Sequence, residues 1–295
     1  MTQTKLPWQS KLVLILVLPL VTIDAAIKTQ WWGAQQGEVA IWAVGLSTVL
    51  ALITWKVRAA TPAAAATGAV IACNLIFSTL VVPYEPWHTA LVPVLAVSLL
   101  AFGTTALGRT RKEGLGTAES RKGRSAAQVA ANLGVAALLT GELGQTSIAN
   151  SHWFAHYGLQ AGVAQMVLFT AGLAALAEAA ADTVSSEAGQ VFGGRPRMMT
   201  SFEAVAPGVD GAVSVVGTFA GVAAAALVAA AGVYAFRGDR EMLLAACAGG
   251  IFGFLFDSLL GATLERQGLL NNDAVNFLST TAAAAFTLGL LALKI

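Results

Sequence analysis

The sequence predicts an all-α fold, a polytopic transmembrane helical bundle of about nine spans. Three observations predict it. Charged residues make up only 11% of the 295-residue chain and hydrophobic ones 56%, and a soluble domain carries about twice that charge. Mean hydropathy is +0.70. The apolar residues gather in long runs rich in Ala, Leu and Gly. Barrel strands would instead alternate polar and apolar positions. The formal net charge of +1 gives no bulk attraction for nucleic acid, and none is expected as a partner. The lipid bilayer is the partner that composition requires.

The runs lie at 11–28, 39–55, 63–82, 89–107, 126–148, 161–181, 211–235, 242–262 and 274–293, each long enough to be read as a membrane helix. The first follows Lys5 and Lys11, as a signal peptide would. Asp24-Ala25-Ala26 is a poor cleavage site, so this run reads as a retained anchor. Alternating from a cytoplasmic N-terminus leaves only Lys28, Arg237, Arg240 and Lys294 of the 17 Lys and Arg outside. The positive-inside rule asks for that bias, and a bacterial cytoplasmic membrane is the expected location. A single domain is expected over 1–295, with 1–58 peripheral and 60–290 a catalytic core. The outer connectors hold Trp31, Trp32, Trp87, His88, His152, Trp153, His156 and Tyr157. Interfacial anchoring accounts for them better than a His152–His156 metal pair. Cys73 and Cys247 are each isolated in apolar runs and read as core residues.

The polar stretch from 177 to 211 organises the rest. Glu178 and Asp182 share a helical face, and paired carboxylates repel unless a cation or proton lies between them. Asp182, Ser185, Ser186 and Glu187 are placed where the helix meets water, with Arg195 and Arg197 on the loop beyond. Asp257, followed by Ser258, stands inside an apolar helix. Gly261 and Glu265 continue its face at four-residue steps. An unpaired acid there is costly, which points to a metal or ligand. Asp273, Asn272 and Asn276 open the last helix; capping explains the first two but not Asn276, one turn inside. Oxygen ligands of this kind suit Mg²⁺, with Asp182, Glu187, Asp257 and Asp273 as the expected set. The basic loop contributes Arg111, Lys112, Arg121, Lys122 and Arg124 ahead of Gln128 and Asn132. Gly208 and Gly211 recur before the next apolar run, where a glycine-lined helix start would admit phosphate. No Walker pattern is present.

Together the segments ADTVSSEAGQVFGGRPR, PGVDGAVSVVGT, GFLFDSLLGATLE, NNDAVNFLS and RKEGLGTAESRKGRSAAQVAANLG resemble the integral membrane family that contains plant and cyanobacterial phytyl-phosphate kinase. The resemblance covers residues 60 to 290. The DTVSSE helix end is more distantly similar to dolichol kinase and phosphatidate cytidylyltransferase. The resemblance implies phosphorylation of an isoprenoid lipid monophosphate to its diphosphate by a nucleoside triphosphate, CTP above others, with Mg²⁺. Asp182, Glu187 and Asp257 would be catalytic. Arg195, Arg197, Arg111, Lys112, Arg121, Lys122, Arg124, Asn132, Gly208, Gly211, Ser258, Asn272 and Asn276 would bind substrate. Position 210 is Asp where the family pattern leads one to expect Asn. Two alternatives stay open: a membrane cytidylyltransferase, and a proton- or cation-coupled transporter using Glu142, Glu178, Asp182 and Asp257.

Overall fold

The computed structural model describes residues 6–80, 83–150 and 161–293. Its helices are α1 (Pro7–Gln35), α2 (Gly37–Lys56), α3 (Pro62–Ser78), α4 (Leu91–Ala106), α5 (Arg109–Leu115), α6 (Ala126–Thr140), α7 (Glu142–Ala149), α8 (Ala161–Phe192), α9 (Val215–Phe236), α10 (Arg240–Leu260) and α11 (Asn272–Ala292). A short antiparallel pair, β1 (Arg197–Met198) and β2 (Ala212–Val213), lies between α8 and α9. His152, Trp153, His156 and Tyr157 fall outside the described residues.

Every apolar run carries a helix, but not every helix has the length of a span. Among the described residues six are long and apolar enough to cross a membrane: α1, α2, α8, α9, α10 and α11. The α4–α5 pair, bent by 66°, makes a seventh if taken as one span. α3 and α6, at 17 and 15 residues, fall short of the roughly 20 that a full crossing takes. Nine spans therefore remain an expectation.

Local chemistry sets the helix starts. The side chains of Thr61, Ser125, Ser214, Asp239 and Asn271 each accept a backbone N–H in the first turn of the helix they precede, satisfying donors that have no intrahelical partner. Ser125 and Gln128 complete a reciprocal capping box.

Three expected boundaries move. The run at 126–148 is two helices, because Gly141 is extended and the buried Asp24 carboxylate accepts the Glu142 N–H at 3.0 Å, starting α7 afresh. α8 does not stop at 181 but continues to Phe192, so Asp182 lies within a helix rather than at its exit. Asp182, Thr183, Ser185 and Ser186 are weak helix formers; packing overrides them. Gly217 and Gly221 bring α9 against the backbone of Ser185 and Ala181. α9 starts at Val215, so Gly208 and Gly211 precede the helix rather than line its first turn.

α8 is the central column. It packs on α4, α6, α9, α10 and α11, and its Ala171–Ala181 segment is buried almost throughout. Small residues permit that closeness where no hydrophobic drive separates helix from lipid. Gly249 and Gly250 of α10 sit on Ala174 and Ala177 of α8.

The connectors assigned to the cytoplasm meet at one end of the bundle. Gln9 exchanges hydrogen bonds with the Leu269 carbonyl (2.9 Å) and the Asn271 N–H (2.8 Å). The Thr61 N–H bonds the Arg124 carbonyl at 3.0 Å. Gly108 abuts Val191, and Gly211 abuts Ala262. At the opposite end Arg237 pairs with Glu85 at 3.0 Å.

Candidate functional site

Acids from separate elements converge at the end of the bundle where these connectors meet, opposite the Arg237–Glu85 pair. Glu178 and Asp182 project from one face of α8, Asp257 from α10, and Glu265 from the π-helical turn Gly261–Glu265 that ends α10. Such turns concentrate at functional sites. The Asp182 and Asp257 carboxyl groups lie within hydrogen-bonding reach of each other. Gly253 makes this possible: a Cβ there would stand 2.5 Å from Glu178 Cγ and 2.9 Å from the Ser279 carbonyl.

The cluster is short of hydrogen-bond donors. Glu178 and Asp257 both face the Ser279 hydroxyl, yet that single donor is directed at the Asn276 carbonyl, 3.0 Å away. One oxygen of Glu178 and one of Asp257 are buried without any hydrogen-bond partner. Glu178 is 1% exposed. Buried acceptors of this kind are costly unless something positive occupies the space between them. Glu265 feels the further charges of Asp182, Asp210 and Asp273. Asp210 lies outside the spans; burial raises its carboxyl above the usual carboxylate range, an effect the Arg266 charge partly offsets.

Arg124 is the cation that faces Asp182. It reaches Thr183 Oγ1 at 3.4 Å and forms no ion pair among the described residues. Its position is built from the backbone. Gly123, at φ +82°, lies so close to residues 58–60 that a Cβ would stand 2.5 Å from the Ala59 carbonyl carbon. The Arg124 N–H then bonds the Ala59 carbonyl at 2.9 Å, and Ser125 starts α6.

The four-carboxylate metal set expected from the sequence is not assembled as one group. Asp182 and Asp257 meet. Glu187, whose charge reaches Asp182, gives its carboxylate to Lys112 at 2.5 Å. Asp273 accepts the Ser10 hydroxyl at 2.6 Å. Among the described residues no three of His, Cys, Asp and Glu form a ready-made metal site. The donors present still fit Mg²⁺, which keeps several waters and takes one or two carboxylates together with substrate phosphates. Asp182 and Asp257, one with an orphaned oxygen, match that demand.

Several expected substrate residues are committed elsewhere. Lys112 is 1% exposed. Its ammonium donates to the Thr104 and Thr105 carbonyls (3.1 and 2.7 Å) as well as to Glu187, so all three protons are used inside the protein. Asn276 Nδ2 donates to Asn132 Oδ1 at 2.9 Å, a buried lock between α11 and α6. The Ser258 hydroxyl returns to the Phe254 carbonyl at 3.3 Å. Gly208 and Gly211, at φ +84° and +73°, press on Thr117 and Ala262, which is tight packing rather than an open cradle. Arg195, Arg197, Arg111, Lys122 and Asn272 are exposed, with Arg197 donating to the Phe202 carbonyl at 2.8 Å. Arg121, also exposed, pairs with Glu113 at 3.0 Å.

Three acids, Glu178, Glu265 and Asp210, lie outside the site residues expected from the sequence; Glu178 is legible there from the helical face it shares with Asp182. Glu265 stands eight residues after Asp257, two turns along the same face, and that spacing was the signal for it. Asp210 carried no signal, because only the folded loop turns it towards Arg266 and Glu265.

A family of integral membrane proteins, DUF92, matches residues 45–284. The chain belongs to that family. It is 46% identical over 108 residues to an uncharacterized membrane protein of Methanocaldococcus jannaschii, covering 37% of this chain and 45% of that one. It is 32% identical over 209 residues to an uncharacterized membrane protein of Synechocystis, covering 69% and 74%. It is 28% identical over 190 residues to protein VTE6, chloroplastic, of Arabidopsis thaliana, covering 63% and 54%. The matched region thus spans about half the length of the archaeal and plant relatives. No solved structure matches the chain.

Proposed function

We propose that this membrane protein is a phosphotransferase that converts a prenyl-type alcohol monophosphate, such as phytyl phosphate, to its diphosphate at the cytoplasmic face, using CTP. The observation that carries the reading is the meeting of Asp182 and Asp257, with an orphaned carboxylate oxygen on Asp257 and the unpaired guanidinium of Arg124 beside Asp182. The similarity to protein VTE6 and the motif resemblance to the phytyl-phosphate kinase family support it.

Asp182 and Asp257 would hold Mg²⁺, which supplies positive charge to the triphosphate oxygens and opposes the charge that develops as the phosphoryl group moves. The other work belongs to the chain. Arg124 neutralises phosphate charge where the acceptor meets the acids. Glu178, enclosed behind Asp182, adds to the negative field that retains the cation. A monophosphate oxygen of the lipid attacks the γ-phosphorus; the bond to the bridging oxygen breaks and CDP leaves. A phosphomonoester is already anionic near neutral pH, so no strong general base is needed. Positioning and charge neutralisation carry the rate.

Purified protein supplied with Mg²⁺, labelled CTP and a panel of prenyl monophosphates is the test. The expected products are CDP and a prenyl diphosphate. Pyrophosphate and a CDP-lipid would instead establish cytidylyl transfer. Isotope uptake into proteoliposomes without nucleotide consumption would establish a transporter.

A further inference from the structure

A cavity of about 610 Å³ opens on the far side of Arg124 from the acid cluster and shares Arg121, Arg124 and Asn132 with the contacts above. α3 and α6 form its floor through Ala64, Ala65, Gly68, Val129 and Leu133. α2 and α4 form its two walls, through Leu50 and Ile53 on one side and Leu95 and Leu99 on the other. Ile53, Val57, Leu99 and Phe102 on the rims are exposed apolar side chains, so within a bilayer the gap between α2 and α4 faces lipid tails. Its inner end is polar. Arg58, Arg109, Arg121 and Arg124 line it there, with Glu119 the only acid among the lining residues. Ala179 of α8, which also lines it, lies between Glu178 and Asp182 in sequence.

We infer that this cleft holds the acceptor of the proposed reaction: one long hydrocarbon chain between α2 and α4, its phosphate under the 119–124 loop against Arg124. The proposal rests on the kinase reading for the identity of the reaction but not for the chemistry of the ligand. An apolar trough with a lateral mouth fits a chain that arrives from the bilayer. Four arginines against one glutamate fit an anionic head. The volume lies in the ordinary range for a single small-molecule site, about 300–1,000 Å³, which accommodates one chain rather than two. Arg124 both lines the cleft and faces Asp182, so a phosphate held there would stand next to the acids. The remaining arginines are partly engaged: Arg109 and Arg121 bond Glu113.

Two measurements decide it. The first needs no turnover. The protein in nanodiscs is irradiated with a twenty-carbon alkyl phosphate bearing a terminal diazirine. Labelling is expected on α2 and α4 walls, and to be displaced by phytyl phosphate but not by a two-chain phosphatidic acid. Labelling scattered over the outer faces of α9 and α10, or equal displacement by phosphatidic acid, would overturn the proposal. The second uses Gly68→Leu. A Cβ at Gly68 meets only Val129 Cγ1 at 3.8 Å, so a larger side chain starts without a backbone clash, and an unchanged melting temperature checks that the fold holds. The KM for a twenty-carbon acceptor should rise about tenfold, with the five-carbon acceptor and CTP unaffected. A KM that does not change for the long acceptor, or that rises by the same factor for long and short acceptors, would refute the cleft while leaving the kinase reading intact. Specific labelling in a protein without kinase activity would do the reverse.

Discussion

Asp182 and Asp257 are the residues on which most depends, since each supplies half of a contact that neither helix could make alone. Asp182→Asn or Asp257→Asn should lower turnover at least about 100-fold. Membrane insertion and the detergent-solubilised melting temperature should hold, because an amide keeps the shape and removes the charge. Full activity in either variant would end the catalytic assignment. Asp210 gives a prediction of a different kind. Burial raises its folded carboxyl above the usual range. A carboxyl whose folded pKa is raised contributes its stability below the unfolded value, near 3.8, and loses it as pH rises through the folded value. Asp210→Asn should therefore stabilise the protein at pH 7, and that gain should shrink by pH 4 and vanish only below the unfolded value, where the carboxyl is neutral folded and unfolded. Thermal melts at the two pH values check this; a gain at pH 4 equal to that at pH 7 would contradict it.

At the scale of elements, α5 is held to α8 by one buried ion pair, Lys112–Glu187, with two carbonyls of the α4 end completing the ammonium's bonds. Removing one partner of such a pair leaves a charge without compensation, whereas replacing both is often tolerated. Lys112→Met should cost about 3 kcal/mol of stability, and Lys112→Met with Glu187→Leu should recover much of it. A lysine that bound nucleotide would instead raise the CTP KM and leave the melting temperature unmoved. Gly253 is the other hinge between elements. In Gly253→Ala the new methyl would meet Glu178, Ala283 and the Ser279 backbone, forcing α10 away from α8 at a cost of about 1–3 kcal/mol. Because Asp257 lies one turn further on, turnover should fall together with the melting temperature.

For the molecule as a whole, the bundle brings distant polar connectors to one end and leaves a tail-shaped cleft beside them. The acid cluster lacks a three-ligand metal site of its own among the described residues, so the ion should bind chiefly with nucleotide. Calorimetry with Mg²⁺ alone should show weak or undetectable binding, and addition of CTP should bring both on together. EDTA should abolish turnover reversibly. Tight Mg²⁺ binding to the nucleotide-free protein would contradict this account.

Composition alone determined that the chain is a helical membrane bundle, because apolar runs of this length leave no other way to satisfy backbone polar groups in lipid. One stranded acid was legible as well: Asp257 stands in an apolar helix, where an ionisable group needs a reason, whereas Asp182 reads from sequence as lying at a helix exit. The tertiary structure decided which acids meet. Glu187 and Asp273 look equally eligible on paper, but Lys112 and Ser10 approach from elements 75 and 263 residues away and take them. It also decided where helices end. Asp24 starts α7 from 118 residues away, and α9 carries α8 past its apolar run. Periodicity reports only neighbours within a few residues, whereas these partners are set by how the helices pack.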